Sequence, residues 1–301
     1  MVLQYTMTRS LLVKYLDHSN RFETAGFNAR CFDTITWRRE RSSLKITKSY
    51  GKTIRLNRQT LTHHNGYAEV MFIGDAHNGS PQFDKDRFLK NIAYCLNNSL
   101  YVVLMGDLNE TATRNSVGAG VYEQEEIAED QHNQMVEWLY PLAERKLILG
   151  TLRGNHGERV YKETGFDVDR ALARELKIPF LGDACWNRFK VGSQFYDIYS
   201  LHGRSNARFD GTALLAVERI STSFFCDLLV HGHMHKAASS IVLMQRVKDG
   251  LVIEHKKYLL ITGAYLKYDG GYASTVGLPI SKLGSPKVRF YSERHDLTIH
   301  W

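Results

Sequence analysis

The chain has 301 residues, 43% hydrophobic and 24% charged, with five prolines and 23 glycines. This excludes fibrous and low-complexity classes and leaves room for one large domain and a small appendage. Thirty-nine lysines and arginines against 32 acids give a net charge of +7, a balance that suits a polyanionic partner such as nucleic acid and equally a basic soluble enzyme. No run of about 18 apolar residues is present to span a membrane, and the first twenty residues lack the apolar core and cleavage site of a signal peptide. The four cysteines, Cys31, Cys95, Cys185 and Cys226, have neither zinc-ribbon nor disulfide-framework spacing. Buried thiols in a reducing cytoplasm are the expectation.

Residues 1–65 read as a separate, basic N-terminal extension. "RSLLVKYL" has the pattern of a short amphipathic helix. "SLKITKSYGKTIRLN" reads as two strands turning at Ser49-Tyr50-Gly51-Lys52. Residues 38–58 carry eight lysines and arginines against one acid, Glu40. Two readings fit: a small winged-helix-like nucleic-acid module, or a hairpin packed on the main domain with a solvated basic face. "TLTHHNGYA" (60–68) reads as a linker.

From residue 66 to 301 a repeating unit takes over. Apolar runs ending in small or polar residues appear in "AEVMFIGDAH", "SLYVVLMGDLNE", "KLILGTLRGNHGE", "QFYDIYSLHGRS" and "CDLLVHGHMH", with a sixth in "HKKYLLITGAY". Helical patterns lie between them at 84–97, 121–145 and 167–177. Strands alternating with helices predict an α/β domain. The exchange of continuous apolar runs for an alternating one predicts a mixed or two-sheet arrangement rather than one parallel sheet.

The ends of these runs hold the chemistry. Asp75, His77, Asp107, Asn155, His156, His202, His233 and His235 all fall at C-terminal strand ends, where open α/β sheets place ligand sites. A glycine precedes or adjoins each turn. Carboxylates, imidazoles and one amide suit Mn²⁺, Fe or Zn²⁺ better than Mg²⁺. No GxSxG elbow, GxxxxGK[ST] loop or HExxH helix offers another active site.

The ordered set D-x-H, GD, GNH, H and GHxH resembles the calcineurin-like metallophosphoesterase superfamily, which includes Mre11/SbcD-type nucleases, cyclic-nucleotide phosphodiesterases and Ser/Thr phosphatases. The resemblance covers about residues 69–240, and two further stretches look similar to phage-encoded members. It implies a four-layer α/β/β/α sandwich holding two divalent metals, Mn²⁺ foremost, with Zn²⁺, Fe or Ni²⁺ as alternatives. Asp75, His77 and His235 would bind one metal; Asn155, His202 and His233 the other; Asp107 would bridge. A metal-bridging hydroxide would attack the phosphorus, and His156 would protonate the leaving oxygen.

His231, just before the glycine of "HGHMH", is read as a packing or supporting neighbour. Arg153, Arg204 and Arg208 are the candidate substrate contacts, with Arg159 beside them. Tyr265, Tyr268 and Tyr272 near Lys267 could stack on bases or pack in the core. The phosphatase block GDxVDRG is replaced by "GDLNETATR", which argues against protein phosphatase activity. Gly157 stands where the family's GNH is followed by an acid, and Glu158, one residue later, is the candidate replacement. The expected activity is a DNA nuclease, with a small nucleotide or other phosphoester as the alternative substrate. A homodimer and a cytoplasmic location, the host's if the chain is phage-encoded, are further expectations.

Overall fold

In this computed structural model the described residues are 56–301, apart from 115, 117–121 and 206, together with three strand segments nearer the N-terminus. The chain divides into two units, 1–55 and 56–301. In the smaller, β1 (Tyr5–Thr6), β2 (Ile35–Glu40) and β3 (Ser43–Lys48) form an antiparallel sheet in the order β1-β2-β3. The hairpin therefore joins β3 to the strand before it, with Glu40 opposite Ser43. The expected turn at 49–52 and the helix at 9–16 lie outside the described residues.

The larger unit starts at Leu56 rather than residue 66. The stretch read as a linker contributes to β4 (Leu56–Leu61), which pairs in parallel with β9 (Ala184–Val191) and buries Leu61 in the core. One six-stranded sheet has the order β15-β14-β5-β6-β7-β8. Its parallel part is β5 (Tyr67–Ile73), β6 (Tyr101–Leu104), β7 (Ile148–Leu152) and β8 (Phe180–Gly182). On its other side β14 (Lys287–Tyr291) and β15 (Leu297–His300) run antiparallel. The second sheet has the order β12-β13-β11-β10-β9-β4. It is built from β10 (Gln194–Leu201), β11 (Leu228–His231), β12 (Ala237–Lys248) and β13 (Leu251–Thr262) besides β4 and β9.

Side-chain alternation fixes the layers. Val70, Phe72 and Val103 of the first sheet face Phe189, Ile198, Leu228, Val230 and Leu260 of the second in one buried cluster. Ile73 and Leu104 point the other way, against Phe88, Ile92, Met135, Leu139, Leu142 and Leu172. These come from α1 (Lys85–Asn97), α2 (Ala128–Glu144) and α4 (Val168–Glu175). Leu229, Leu259 and Ile261 pack outward on Ala213 and Val217 of α5 (Asp210–Ser221). The expected α/β/β/α sandwich is what forms. Strands β5 to β7 are rich in apolar residues because both their faces are covered, and each fully buried Leu, Ile or Phe contributes about 1.5–3 kcal/mol.

Helix α2 begins at Ala128, seven residues later than the sequence pattern predicts. The preceding glutamine is used otherwise: Gln124 Oε1 accepts from Ala112 N at 3.1 Å and from Gln131 Nε2 at 2.9 Å. Two further helices escaped the pattern, α3 (Asn155–Thr164) and α5, besides the one-turn α6 (Tyr272–Thr275). Among the described residues no helix is long and apolar enough to cross a membrane.

Candidate metal centre

The loops that leave β5, β6 and β7 meet those that leave β10 and β11 at one edge of the sandwich. Each sheet therefore delivers its chemical residues to the same cleft. The first two loops go on pairing beyond the strands: Asp75 N donates to Gly106 O at 3.0 Å and His77 N to Asp107 O at 3.1 Å. Gly106 has φ +90°, and a Cβ there would lie 2.8 Å from Gly154 N and 2.9 Å from His202 Nδ1. Only glycine allows so close an approach.

Eleven non-glycine residues have positive φ among the described ones, and five of them are Asp75, His77, Asp107, His233 and His235. Left-handed backbone costs such residues of order 1 kcal/mol each. Asp and His tolerate it better than most, and strain of this kind collects at functional sites.

Two groups of side chains face the cleft. Asp75, His77 and His235 form the first, and Asp107, His202 and His233 the second; within each, the potential ligand atoms lie within 4.8 Å of one another. In the first group His77 Nε2 faces His235 Nε2 at 3.1 Å, and His235 Nε2 is 3.5 Å from Asp75 Oδ1. In the second, His202 Nε2 is 3.0 Å from Asp107 Oδ2 and 2.9 Å from Asn155 Oδ1. The groups are tied together, since His233 N donates to both oxygens of Asp75 at 3.1 and 3.0 Å. Asp75 and Asp107 are fully buried, at 0% and 2% exposure.

The donor set fits divalent cations. His233 Nδ1 is buried without a hydrogen bond, and two imidazole nitrogens face each other at 3.1 Å. Unanswered lone pairs of this kind are what a cation satisfies. The far nitrogens are occupied. His202 Nδ1 donates to Met105 O at 2.8 Å, and His77 Nδ1 to Glu110 Oε2 at 2.9 Å. Each bond turns the Nε2 lone pair toward the cleft.

The electrostatics agree. Burial, with neighbouring imidazoles, pushes His77 down and His233 down to about 4, so both are neutral as ligands require. Burial opposes ionisation of Asp75 and Asp107, but adjacent histidines outweigh it and hold both carboxylates ionised. Burial also opposes the charge on His202, yet Asp107 and Asp75 lift it well above the usual range.

His156 sits on the first turn of α3 beside these two groups, and with His77 and Glu110 it forms a third group of potential ligand atoms within 4.8 Å of one another. Its ring lies edge-on to His77 with centroids 4.4 Å apart. Nδ1 is 2.8 Å from Glu110 O, 3.3 Å from Glu110 Oε1 and 2.6 Å from Arg159 Nη2, and Nε2 is 3.9 Å from Asp107 Oδ2. Burial pushes His156 down, but Asp107 and Glu110 outweigh it and the net shift is upward. Glu110, itself held well below the usual carboxylate range by His156 and His77 against its burial, contacts both imidazoles. Sequence reading passed over it; its only local signal is an acid three residues after Asp107.

No protein-family model and no curated relative matches the chain. Among solved structures it is similar to Yfce, a phosphoesterase from E. coli, at 18% identity over 77% of this chain and 98% of that one, with a TM-score of 0.35. A metallophosphoesterase from Sphaerobacter thermophilus follows at 14% identity, 77% and 87% coverage and TM-score 0.36. Vps29 of Entamoeba histolytica complexed with Zn²⁺ follows at 17% identity, 77% and 97% coverage and TM-score 0.30. Likeness this distant assigns no role to any residue here.

The expected substrate contacts separate. Arg153, Asn155, Glu158, Asp183, His202 and Arg204 line a pocket of about 450 Å³ beside the second group. Arg153 is paired with Asp167 and, at 3.1 Å, with Asp183. Arg204 is exposed and paired with Glu158. Arg208 is exposed and is not part of the pocket lining. Glu158 bonds Arg204 and, at 2.8 Å, Lys162. Turned outward in this way, it does not replace an acid beside His156.

His231 is buried, donates Nδ1 to Gly232 O at 2.7 Å and belongs to neither group. Tyr265 is a core residue whose hydroxyl accepts from Asn91 Nδ2 at 2.7 Å, which removes it from any base-stacking surface.

Proposed function

We propose that the chain is a phosphoesterase that uses two divalent cations, Mn²⁺ foremost, and cleaves phosphodiester bonds in nucleic acid. One observation supports the reading: two groups of potential ligand atoms, Asp75, His77 and His235 in one and Asp107, His202 and His233 in the other, meet in one cleft with the His156 imidazole beside them. Asp75, His77 and His235 would hold one cation, Asn155, His202 and His233 the other, and Asp107 both. When bound, the cations would polarise the phosphoryl oxygens and make a water acidic enough to attack.

The chain's own groups do the rest. Asp107 and Glu110 favour the charged form of His156, whose Nε2 lies 3.9 Å from Asp107 Oδ2. It can pass that proton to the departing oxygen, a contribution worth about 10²–10⁴-fold in rate. Glu110 also fixes the His77 ring, so one carboxylate orients a ligand and the acid together. The excess of basic residues, dense at 38–58, supports a polynucleotide substrate. The pocket beside Asn155 and His202 favours a second reading, a small nucleotide or phosphomonoester.

A substrate panel with the Mn²⁺-loaded chain separates these. Single- and double-stranded DNA, RNA, a cyclic nucleotide and an aryl phosphomonoester would be compared. Cleavage of polynucleotides is expected. Turnover of the small substrates with every polynucleotide inert would overturn the nuclease reading, and inertness toward all of them would overturn the phosphoesterase.

A further inference from the structure

The amide before Asn155 and the residue after His156 are both engaged by one side chain that lies outside the metal groups. Asp169, on the first turn of α4, is 6% exposed. Its Oδ2 accepts from Gly154 N at 3.1 Å. Gly154 is the extended residue that leads into α3 and has no side chain with which to cap it. Two carboxylates from outside the helix do so instead: Asp107 Oδ1 takes His156 N at 2.9 Å, and Asp169 takes Gly154 N.

Gly157 completes the contact. It is buried on the first turn of α3, and a Cβ there would overlap Asp169 Oδ2 and lie 3.0 Å from its Cγ and 3.1 Å from Val168 Cγ2. The carboxylate thus fills the space a side chain at 157 would need. Burying a carboxylate this deeply is costly, and burial with Asp107 nearby pushes Asp169 up to about 7.

We propose that Asp169 is a positioning residue for Asn155 and His156. By clamping Gly154 and packing over Gly157, it fixes the first turn of α3. Asn155 Oδ1 then stays 2.9 Å from His202 Nε2, and His156 Nδ1 stays 2.8 Å from Glu110 O. The proposal rests on the phosphoesterase reading of the cleft.

The test uses the full chain, a chromogenic aryl phosphodiester, and titration of the metal-free protein with Mn²⁺ followed by calorimetry. Asp169→Asn retains an oxygen acceptor for Gly154 N and is expected within about threefold of the parent. Asp169→Ala is expected to lose roughly 10–100-fold in kcat or in affinity for the weaker cation, with KM nearly unchanged. Asp169→Glu keeps the charge but is too long for the space over Gly157, and is expected to lose about tenfold. Gly157→Ala is expected to be poorly active, and more active when combined with Asp169→Ala, because the second change removes the overlap.

A purely capping role would lower the melting temperature and leave kcat and cation affinity per folded molecule unchanged. That result, or an Asp169→Glu variant as active as the parent, overturns the proposal. Should Asp169→Ala fail to fold, the Asn and Glu variants still decide it. If the parent chain binds no Mn²⁺, the reading of the cleft falls, and this proposal with it. If the parent binds Mn²⁺ and none of these variants differs from it, only the role of Asp169 falls.

Discussion

His156 is surrounded by groups that compete for its Nδ1: the carbonyl and carboxylate of Glu110 and the guanidinium of Arg159. Asp107 and Glu110 favour the charged ring, and in that form both nitrogens carry protons, Nε2 facing Asp107. His156→Ala is therefore expected to lose about 10²–10⁴-fold in turnover while its Mn²⁺-dependent rise in melting temperature persists. Loss of cation binding in that variant would make His156 a ligand instead.

A second titrating residue lies apart from the centre. His295 Nε2 bonds Asp227 Oδ1 at 2.8 Å and stacks on Tyr196. The bond to Asp227 raises its pKa against partial burial, with Asp197 and Asp296 adding to the effect. A raised histidine stabilises most below its unfolded value near 6.5, and loses that contribution as pH rises through the folded value. His295→Gln is expected to lower the melting temperature by about 1–2 °C at pH 6, in keeping with a screened pair worth about 0.5 kcal/mol. At pH 9 the two proteins should melt together. An equal gap at both pH values would show that stacking, not charge, is what His295 supplies.

The residues legible in the sequence were those that end a strand next to a glycine. Glu110 was not among them. Its partners His77 and His156 are 33 and 46 residues away, and no local pattern announces a contact of that range.

At the scale of elements, strands buried on both faces were the easiest to read, because β5, β6 and β7 are rich in apolar residues. Helix α3 was missed since "NHGERVYKET" carries almost no apolar stripe; it buries only Gly157 and is held by outside carboxylates. The stretch around β4 read as a linker because its burial reaches only Leu61 fully. Helix α5 shows how tertiary contacts finish an element. A buried amine, Lys257 Nζ, donates to its last carbonyl, Ser221 O, at 2.7 Å and to Phe224 O in the turn beyond at 2.6 Å. Lys257→Met keeps the volume and strips the donors. It is expected to cost about 1–3 kcal/mol, seen as a lower denaturation midpoint at unchanged slope.

Across the whole molecule the centre joins the two sheets: Asp75, His77, Asp107 and Asn155 come from one, His202, His233 and His235 from the other. Cations bound there would cross-link both halves of the sandwich. Saturating the metal-free chain at about 100 times the dissociation constant should add about 2.7 kcal/mol, or roughly 5–10 °C in melting temperature, and a chelator should reverse it. No shift with Mn²⁺, Zn²⁺, Fe²⁺ or Ni²⁺ would contradict the donor set read here.

The sequence by itself determined the α/β alternation, the strand ends and the order of metal-type side chains, because each is a local signal written within a few residues. The tertiary structure alone decided which strands share a sheet, that β4 belongs to the sandwich, and that Arg153 and Glu158 are engaged elsewhere. It alone brought Glu110 to His156 and Asp169 to Gly154 and Gly157. These depend on the folding back of distant segments, where burial and unanswered hydrogen-bonding groups choose the partners.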